Sequence, residues 1–159
     1  MRKPVQKFVY EAVKEIPSSN QNVLEIGSLD VNGTIRQFFS KNNLYVGLDM
    51  RTGKNVTLQA RGDNIPFRDA SFGCAVCCDT LEHDSNFFTT VSEMKRVLIP
   101  GGLLLLTVPS IGFSKHQHPY DYWRFTREAI EVLMQGMCNV CVVEEHPHQL
   151  VTGKGTKPE

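Results

Sequence analysis

The chain has 159 residues, 41% of them hydrophobic, which suits one globular domain with a sizeable core. Its 17 basic and 17 acidic residues balance, so the composition favours neither a nucleic-acid-binding protein nor a membrane-surface protein. No apolar run approaches the ~20 residues of a membrane span, and the N-terminal stretch is amphipathic, unlike the apolar core of a signal peptide. We therefore expect a cytoplasmic protein.

Helical and extended patterns alternate along the chain. Residues 4–16 repeat apolar side chains at i, i+3 and i+4, which predicts an N-terminal helix that ends before residues 17–20. The same spacing predicts further helices at residues 34–39, at residues 85–98 and after Thr126. Short apolar runs predict strands at residues 23–26, 44–49, 56–60, 73–78 and 103–108, and a closing strand pair at 140–144 and 149–152.

The remaining segments have weaker patterns. Residues 110–125 are expected to form a loop, and residues 153–159 a loose tail. The alternation of helices with short apolar strands predicts a doubly wound α/β fold with a mostly parallel sheet. In such a fold, ligands bind at the carboxyl ends of the strands.

The first predicted strand ends in a glycine turn. Residues 23–26 are followed by Gly27 and by a run rich in Ser, Asp, Asn and Gly that ends at Gly33. Gly27 has no Cβ, so its backbone can approach a ligand closely, and the N–H groups of a following helix suit a carboxylate. Asp49 lies 22 residues after Gly27, at the end of the adjacent strand, where its carboxylate can accept both hydroxyls of a ribose.

Five cysteines include two C-x-x-C pairs, Cys74 with Cys77 and Cys138 with Cys141. Four thiolates can bind zinc. Both pairs, however, lie in Val-rich runs that are predicted strands, where positions three apart point to opposite faces. We therefore expect reduced, buried thiols that fill the core, and no zinc site.

Several short motifs now occur together in a fixed order. They lie at residues 23–27, 47–50, 65–67 with 71–72, 81–83, 96–102 and 119–126. This ordered set resembles the class I S-adenosylmethionine-dependent methyltransferases (EC 2.1.1), of the broad group that acts mostly on small molecules. The resemblance covers about two-thirds of the chain, from residue 22 to residue 126.

The resemblance implies a Rossmann-like sheet of seven strands in the order 3-2-1-4-5-7-6, the last strand antiparallel, with a short C-terminal part. It implies one methyltransferase-like domain over residues 1–159, with an N-terminal helix (1–20), a cofactor-binding half (21–109) and a substrate-side part (110–159). The implied reaction is methyl transfer from S-adenosylmethionine to a small-molecule or glycan-like acceptor, without a nucleic-acid or membrane partner. The expected cofactor-binding residues are Glu25, Gly27, Ser28, Leu29, Asp49, Met50, Asp63, Asn64, Asp79 and Leu81.

Two residues depart from the family pattern and leave alternatives open. Leu29 replaces the usual second glycine of the first motif, and its Cβ limits how closely a cofactor can approach. Arg61 stands where relatives carry an acid for the adenine amino group, although Asp63 could substitute. These departures favour, as an alternative, a degenerate methyltransferase fold that serves as a non-catalytic binding or regulatory protein. A nicotinamide-dependent oxidoreductase is disfavoured because the turn lacks G-x-G-x-x-G.

Methyl transfer chiefly requires alignment, so the sequence marks few catalytic candidates. His83 and His118, with His116 beside them, could serve as a base for a hydroxyl or amine acceptor. Tyr122 and Arg124 belong to an aromatic and cationic segment that could contact the acceptor. His116 and His118 could also ligate a metal, but no carboxylate partner or helical H-E-x-x-H pattern accompanies them, so we expect no metal site.

Overall fold

The structure of the chain is a computed structural model that describes residues 1–17, 21–41, 44–116 and 120–159. Three α-helices are present in these ranges: α1 (Lys3–Ala12), α2 (Phe87–Val97) and α3 (Arg127–Leu133). None of them is long and apolar enough to cross a membrane. The strands are β1 (Val23–Ile26), β2 (Tyr45–Asp49), β3 (Leu58–Gln59), β4 (Phe72–Cys78), β5 (Leu98–Pro109), β6 (Cys138–Glu145) and β7 (Leu150–Thr156).

The seven strands form one sheet in the order β3-β2-β1-β4-β5-β7-β6. The pairs from β3 to β5 are parallel, and β7 runs antiparallel between β5 and β6. This confirms the doubly wound, mostly parallel fold and the strand order that the sequence predicts. The parallel arrangement brings the carboxyl ends of β1, β2 and β4 to one edge of the sheet, where the glycine turn begins.

Helices cover both faces of the sheet, which explains why its central strands are continuously apolar. Val5 and Val9 of α1 are fully buried in one core layer, together with Cys74 and Leu105 from the sheet. The opposite layer contains the buried faces of α2 and α3 and the alternate residues of the same strands, Cys77 among them. Cys74 and Cys77 therefore point to opposite faces, as the strand assignment predicts.

The tail predicted at residues 153–159 is wrong for its first half. Gly153–Thr156 belong to β7, which is paired on both sides. A Cβ on Gly153 would stand 2.6 Å from Cγ2 of Ile130 in α3, so the close packing of this helix requires a residue without a side chain. Glycines give little strand signal in a sequence, although the packing here depends on them.

Two further expectations need correction. The helix predicted at residues 34–39 is only a 3-10 turn at Arg36–Phe38. Cys138 and Cys141 are exposed free thiols, not core residues, because the first half of the edge strand β6 is exposed on both faces. Cys74 and Cys77, by contrast, lie in β4, which is buried along its whole length.

Candidate functional site

A cavity of about 750 Å³ opens at the carboxyl edge of the sheet. Most of the sequence-predicted site residues line it: Glu25, Gly27, Ser28, Leu29, Asp49, Met50, Asp63, Asp79, His83 and Tyr122. Asn64 is exposed and Leu81 is fully buried in the core, and neither lines the cavity. Arg124 also lies outside the lining, and His118 lies outside the described residues.

The glycine turn is fixed by its neighbours. Gly27 has a φ of +75°, and a Cβ built on it would stand 2.1 Å from Oγ1 of Thr80. The N–H groups of Gly27 and Ser28 both donate to the carbonyl oxygen of Leu48, at 2.9 and 3.1 Å. The hydroxyl of Ser28 is buried at the cavity and has no hydrogen-bond partner among the described residues. It is therefore a polar group available to a ligand.

Asp49 ends β2 beside this turn, with 11% of its side chain exposed. Its Oδ2 accepts from the N–H of Leu29 at 3.3 Å and its Oδ1 from the N–H of Arg51 at 2.9 Å. A carboxylate offers about four acceptor positions, so capacity remains on the cavity side. Met50, the next residue, is 54% exposed and presents its thioether at the same rim.

The Leu29 side chain is turned toward the loop that follows β2. Its Cδ1 lies 2.4 Å from where a Cβ on Gly53 would stand, so Gly53 makes room for the isobutyl group. The sequence predicts that the Leu29 side chain limits how closely a cofactor can approach the turn. The structure shows how the extra bulk is accommodated by a second glycine 24 residues later.

Arg61 and Asp63 are paired with each other. The guanidinium of Arg61 donates to both carboxylate oxygens of Asp63, at 2.8 and 2.6 Å, and the Asn86 amide donates to Oδ2 at 2.8 Å. These hydrogen bonds, that of Arg61 first, lower the pKa of Asp63 to about 2. Asp63 faces the cavity as predicted, with much of its acceptor capacity already used.

Glu25 lies beneath the turn and is 4% exposed. Its Oε2 accepts from the hydroxyl of Tyr45 at 2.8 Å. Burial raises the pKa of Glu25 to about 7, although the Tyr45 hydrogen bond opposes the rise. Glu25 thus combines contact with the cavity and a buried hydrogen bond to the neighbouring strand.

Arg2 is a site residue that the sequence does not reveal. Its guanidinium donates to both oxygens of Asp79, at 3.0 and 2.7 Å, and lies 4.7 Å from the ring centre of Phe113. All three residues line the cavity, although 77 residues separate Arg2 from Asp79. No local motif marks such a pair, because only the docking of α1 on the sheet brings it together.

The opposite end of the cavity is formed by the turn after β4 and by the segment after β5. The 3-10 turn Leu81–His83 buries Leu81 and directs Glu82 and His83 to the cavity. His116, Tyr120 and Tyr122 face them from the later segment. The Tyr120 and Tyr122 rings stack with centroids 5.6 Å apart, and both side chains are exposed.

Glu82 is the group at this end that the sequence reasoning missed. It is fully buried, and neither carboxylate oxygen has a hydrogen-bond partner among the described residues. Burial, assisted by the charge of Asp79, raises the pKa of Glu82 to about 8, while its own backbone N–H and the charges of Arg2 and Arg124 oppose the rise. Its place beside His83 in the sequence is the signal that could have found it.

Arg124 holds the segment that carries His116. It donates to both oxygens of Asp121, at 2.5 and 2.7 Å, and to the carbonyl oxygens of Phe113 and Ser114. The Arg124 guanidinium keeps the pKa of Asp121 well below its usual range. Asp121 in turn accepts from the backbone N–H of His116 at 2.7 Å. Arg124 therefore lies outside the cavity lining and holds the segment that places His116 in it.

The fold and this strand-edge cavity are those of a nucleotide-cofactor enzyme of the Rossmann-like class. A family model described as a methyltransferase domain matches residues 20–106, more than half of the chain. The chain belongs to this family, which supports S-adenosylmethionine as its cofactor, as predicted.

Individual relatives agree with this assignment. The chain is 34% identical over 103 residues to the ubiquinone/menaquinone biosynthesis C-methyltransferase UbiE of Hahella chejuensis, covering 61% of the chain and 38% of that enzyme. A possible histamine N-methyltransferase of Thermotoga maritima has the same fold, with a TM-score of 0.69 and 20% identity over 97% of this chain and 92% of that one.

Phosphoethanolamine N-methyltransferase 2 of Haemonchus contortus, solved with S-adenosyl-L-methionine, gives a TM-score of 0.75 at 13% identity, over 99% of this chain and 53% of that one. At such low identities, these structural similarities establish the fold alone. The chain spans well under half of the curated relative that it matches.

Proposed function

We propose that the chain is a methyltransferase that transfers the methyl group of S-adenosylmethionine to a small-molecule acceptor. The observation that carries this proposal is that one cavity joins two unlike ends. Strand tips and the glycine turn form one end, and an aromatic and histidine-lined wall forms the other. A cofactor and an acceptor bound in the two ends would meet near Thr80.

The residues of the first end fit the cofactor. Ser28 offers a buried hydroxyl without a partner in the described part of the chain, and Asp49 offers acceptor positions for the ribose hydroxyls. Met50 suits one face of the adenine, since a thioether is polarizable and apolar. When bound, S-adenosylmethionine supplies a methyl group on a positively charged sulfur. The chain's task is then to align the acceptor in line with it.

The second end suits a flat acceptor of modest size. Tyr120 and Tyr122 present stacked rings, and Phe113 presents a third ring beneath the guanidinium of Arg2. Aromatic faces bind planar apolar groups, including the apolar face of a sugar ring. This supports a small-molecule or glycan-like acceptor, because the exposed rings of Tyr120 and Tyr122 stand at the rim of a cavity of about 750 Å³ that can enclose such a group.

The test is calorimetric titration of the chain with S-adenosylmethionine, with its demethylated product and with NADH. We expect the first two to bind with one site per chain and NADH not to bind. Absence of binding by all three would refute the proposal and favour a non-catalytic protein with a methyltransferase fold. The acceptor can then be sought by incubating the chain with labelled S-adenosylmethionine and a panel of hydroxy- and amino-substituted aromatics and sugars.

A further inference from the structure

Glu82 has surroundings that are unusual for an acid. Its side chain is fully buried, and both oxygens lack a hydrogen-bond partner among the described residues. A buried carboxylate requires a proton or a cation, because its desolvation is otherwise uncompensated. Arg2, which also lines the cavity, is already bound to both oxygens of Asp79.

Two imidazole rings face this carboxylate. Nε2 of His116 lies 3.5 Å and Nε2 of His83 lies 3.7 Å from Oε1 of Glu82. These separations exceed those of hydrogen bonds. The rings themselves are perpendicular, with centroids 4.8 Å apart. Two nitrogens from different segments thus converge on one oxygen.

The other nitrogen of each ring lies near a carbonyl oxygen. Nδ1 of His83 contacts the carbonyl oxygen of Tyr120, and Nδ1 of His116 lies 3.4 Å from the carbonyl oxygen of Ser114. A carbonyl oxygen only accepts, so the short contact of His83 places a hydrogen on its Nδ1, whereas Nδ1 of His116, which also lies 3.7 Å from Oδ2 of Asp121, is too far from either oxygen to define its tautomer. Oxygen partners at the distal nitrogen are the usual support of metal-binding histidines.

We propose that Glu82, His83 and His116 bind a divalent first-row transition-metal ion at the acceptor end of the cavity. Each offers a ligand atom within 4.8 Å of the others. Zinc bonds of about 2.0–2.2 Å at tetrahedral angles separate two ligand atoms by about 3.3–3.5 Å. The two distances from Glu82 therefore need to contract by at most a few tenths of an ångström, and the distance between the two imidazole nitrogens by up to about 1.4 Å.

The ligand set indicates the kind of ion. Imidazole nitrogens suit zinc, iron and cobalt, whereas magnesium and calcium prefer oxygen ligands. The sequence argues against a metal because the histidines at 116 and 118 have no carboxylate partner. The fold supplies that partner in Glu82, which lies 34 residues before His116.

The position of the site gives the ion a role. All three proposed ligands line the cavity, so a bound ion would lie beside the acceptor space. An ion with three protein ligands binds a water or a substrate oxygen there and lowers its pKa. The acceptor atom favoured by this arrangement is a hydroxyl oxygen, an assignment that rests on the proposed methyltransferase function.

The experiment uses the whole chain, freed of metal by a chelator and carrying Cys138→Ser and Cys141→Ser, since these exposed thiols could bind zinc themselves. Calorimetric titration with zinc chloride should show one site per chain. Glu82→Gln and His116→Ala in this background should each weaken zinc binding by at least about tenfold. The exposed pair of Glu145 and His148, 4.0 Å apart, gives the matched control, and Glu145→Gln with His148→Ala should leave zinc binding unchanged.

Absence of a zinc site in the chain that lacks Cys138 and Cys141 would overturn the proposal, as would unchanged affinity in Glu82→Gln. Glu82→Gln removes a buried charge at constant shape and should fold, which thermal unfolding verifies. If it does not fold, His116→Ala carries the test, because that side chain is 34% exposed. Titration of the same variants with S-adenosylmethionine separates the two proposals. Cofactor binding without zinc binding refutes the metal site alone, and the reverse refutes the methyltransferase function alone.

Discussion

Replacement of Asp49 is the most direct test of the cofactor end of the cavity. Asp49→Ala removes a carboxylate at the tip of β2 whose side chain is 11% exposed and faces the cavity. Two of its acceptor positions are used by backbone N–H groups, and two remain for a ribose. The perturbation should thus act on binding more than on the core.

The magnitude follows from the hydrogen bonds that are lost. A hydrogen bond to a charged group contributes about 1.5–3 kcal/mol, so the loss of even one should exceed about 1.5 kcal/mol. Since 1.4 kcal/mol is a factor of ten, Asp49→Ala should weaken S-adenosylmethionine binding by at least about tenfold. Asp49→Asn should lose less, because its amide oxygen can still accept one hydroxyl.

The assay is calorimetric titration of the parent and both variants with S-adenosylmethionine, and with adenosine to isolate the ribose contacts. Asp69→Ala is the matched control, because Asp69 is an exposed acid paired with Arg96 outside the cavity lining. Thermal unfolding should show that all variants fold. Equal affinity of Asp49→Ala and the parent would refute the ribose assignment.

Three further predictions concern the same end of the cavity. In urea denaturation, Gly27→Ala should lower the free energy of unfolding by more than Gly136→Ala does. Both glycines have positive φ, but only a Cβ on Gly27 would meet neighbouring atoms. Equal losses in the two variants would contradict this explanation. Arg61→Ala should tighten S-adenosylmethionine binding severalfold by freeing the neighbouring carboxylate, and unchanged calorimetric affinity would show that this acid does not serve the adenine. Burial raises the pKa of Glu25 to about 7, so the folded chain keeps a proton that the unfolded chain loses near pH 4.5. Glu25 should therefore contribute at most about 3 kcal/mol to a fall in the free energy of unfolding between pH 4.5 and 7, to which Glu82 also contributes because its pKa is raised to about 8. Glu25→Gln should make that fall smaller, and the same slope in parent and variant would exclude Glu25 as a source.

The sheet could be predicted from the sequence because its signals are local. The strands β1, β2, β4 and β5 contain short apolar runs, each followed by polar or glycine residues, and their order in the sheet is the one that the family resemblance implies. The cofactor end inherits this predictability, since Gly27 and Asp49 stand directly at strand ends. The N-terminal half of β7 is predicted because it too is a short apolar run. The rest of the strand is not predicted, because Gly153 and Gly155 have no side chain that would indicate a strand.

The residues that were missed depend on contacts between distant segments. Arg2 reaches Asp79 only because α1 docks on the sheet, and Glu82 meets His116 only because the segment after β5 folds back. Neither contact corresponds to a recognisable residue spacing or motif in the sequence. The same holds for Cys141, whose exposure follows from the open first half of the edge strand β6.

The two ends of the cavity therefore differ in the contacts that fix their geometry, and this difference affects how well each end tolerates substitution. Strand tips and backbone N–H groups form the cofactor end, so its geometry is tied to the core. The acceptor end depends on side chains of one segment, fastened by the hydrogen bonds of Arg124 to Asp121 and to two nearby carbonyl oxygens. Loops that a rigid sheet positions tolerate substitution better than the sheet itself. The choice of acceptor should accordingly be set by the segment around His116, Tyr120 and Tyr122, while the choice of cofactor is set by the fold.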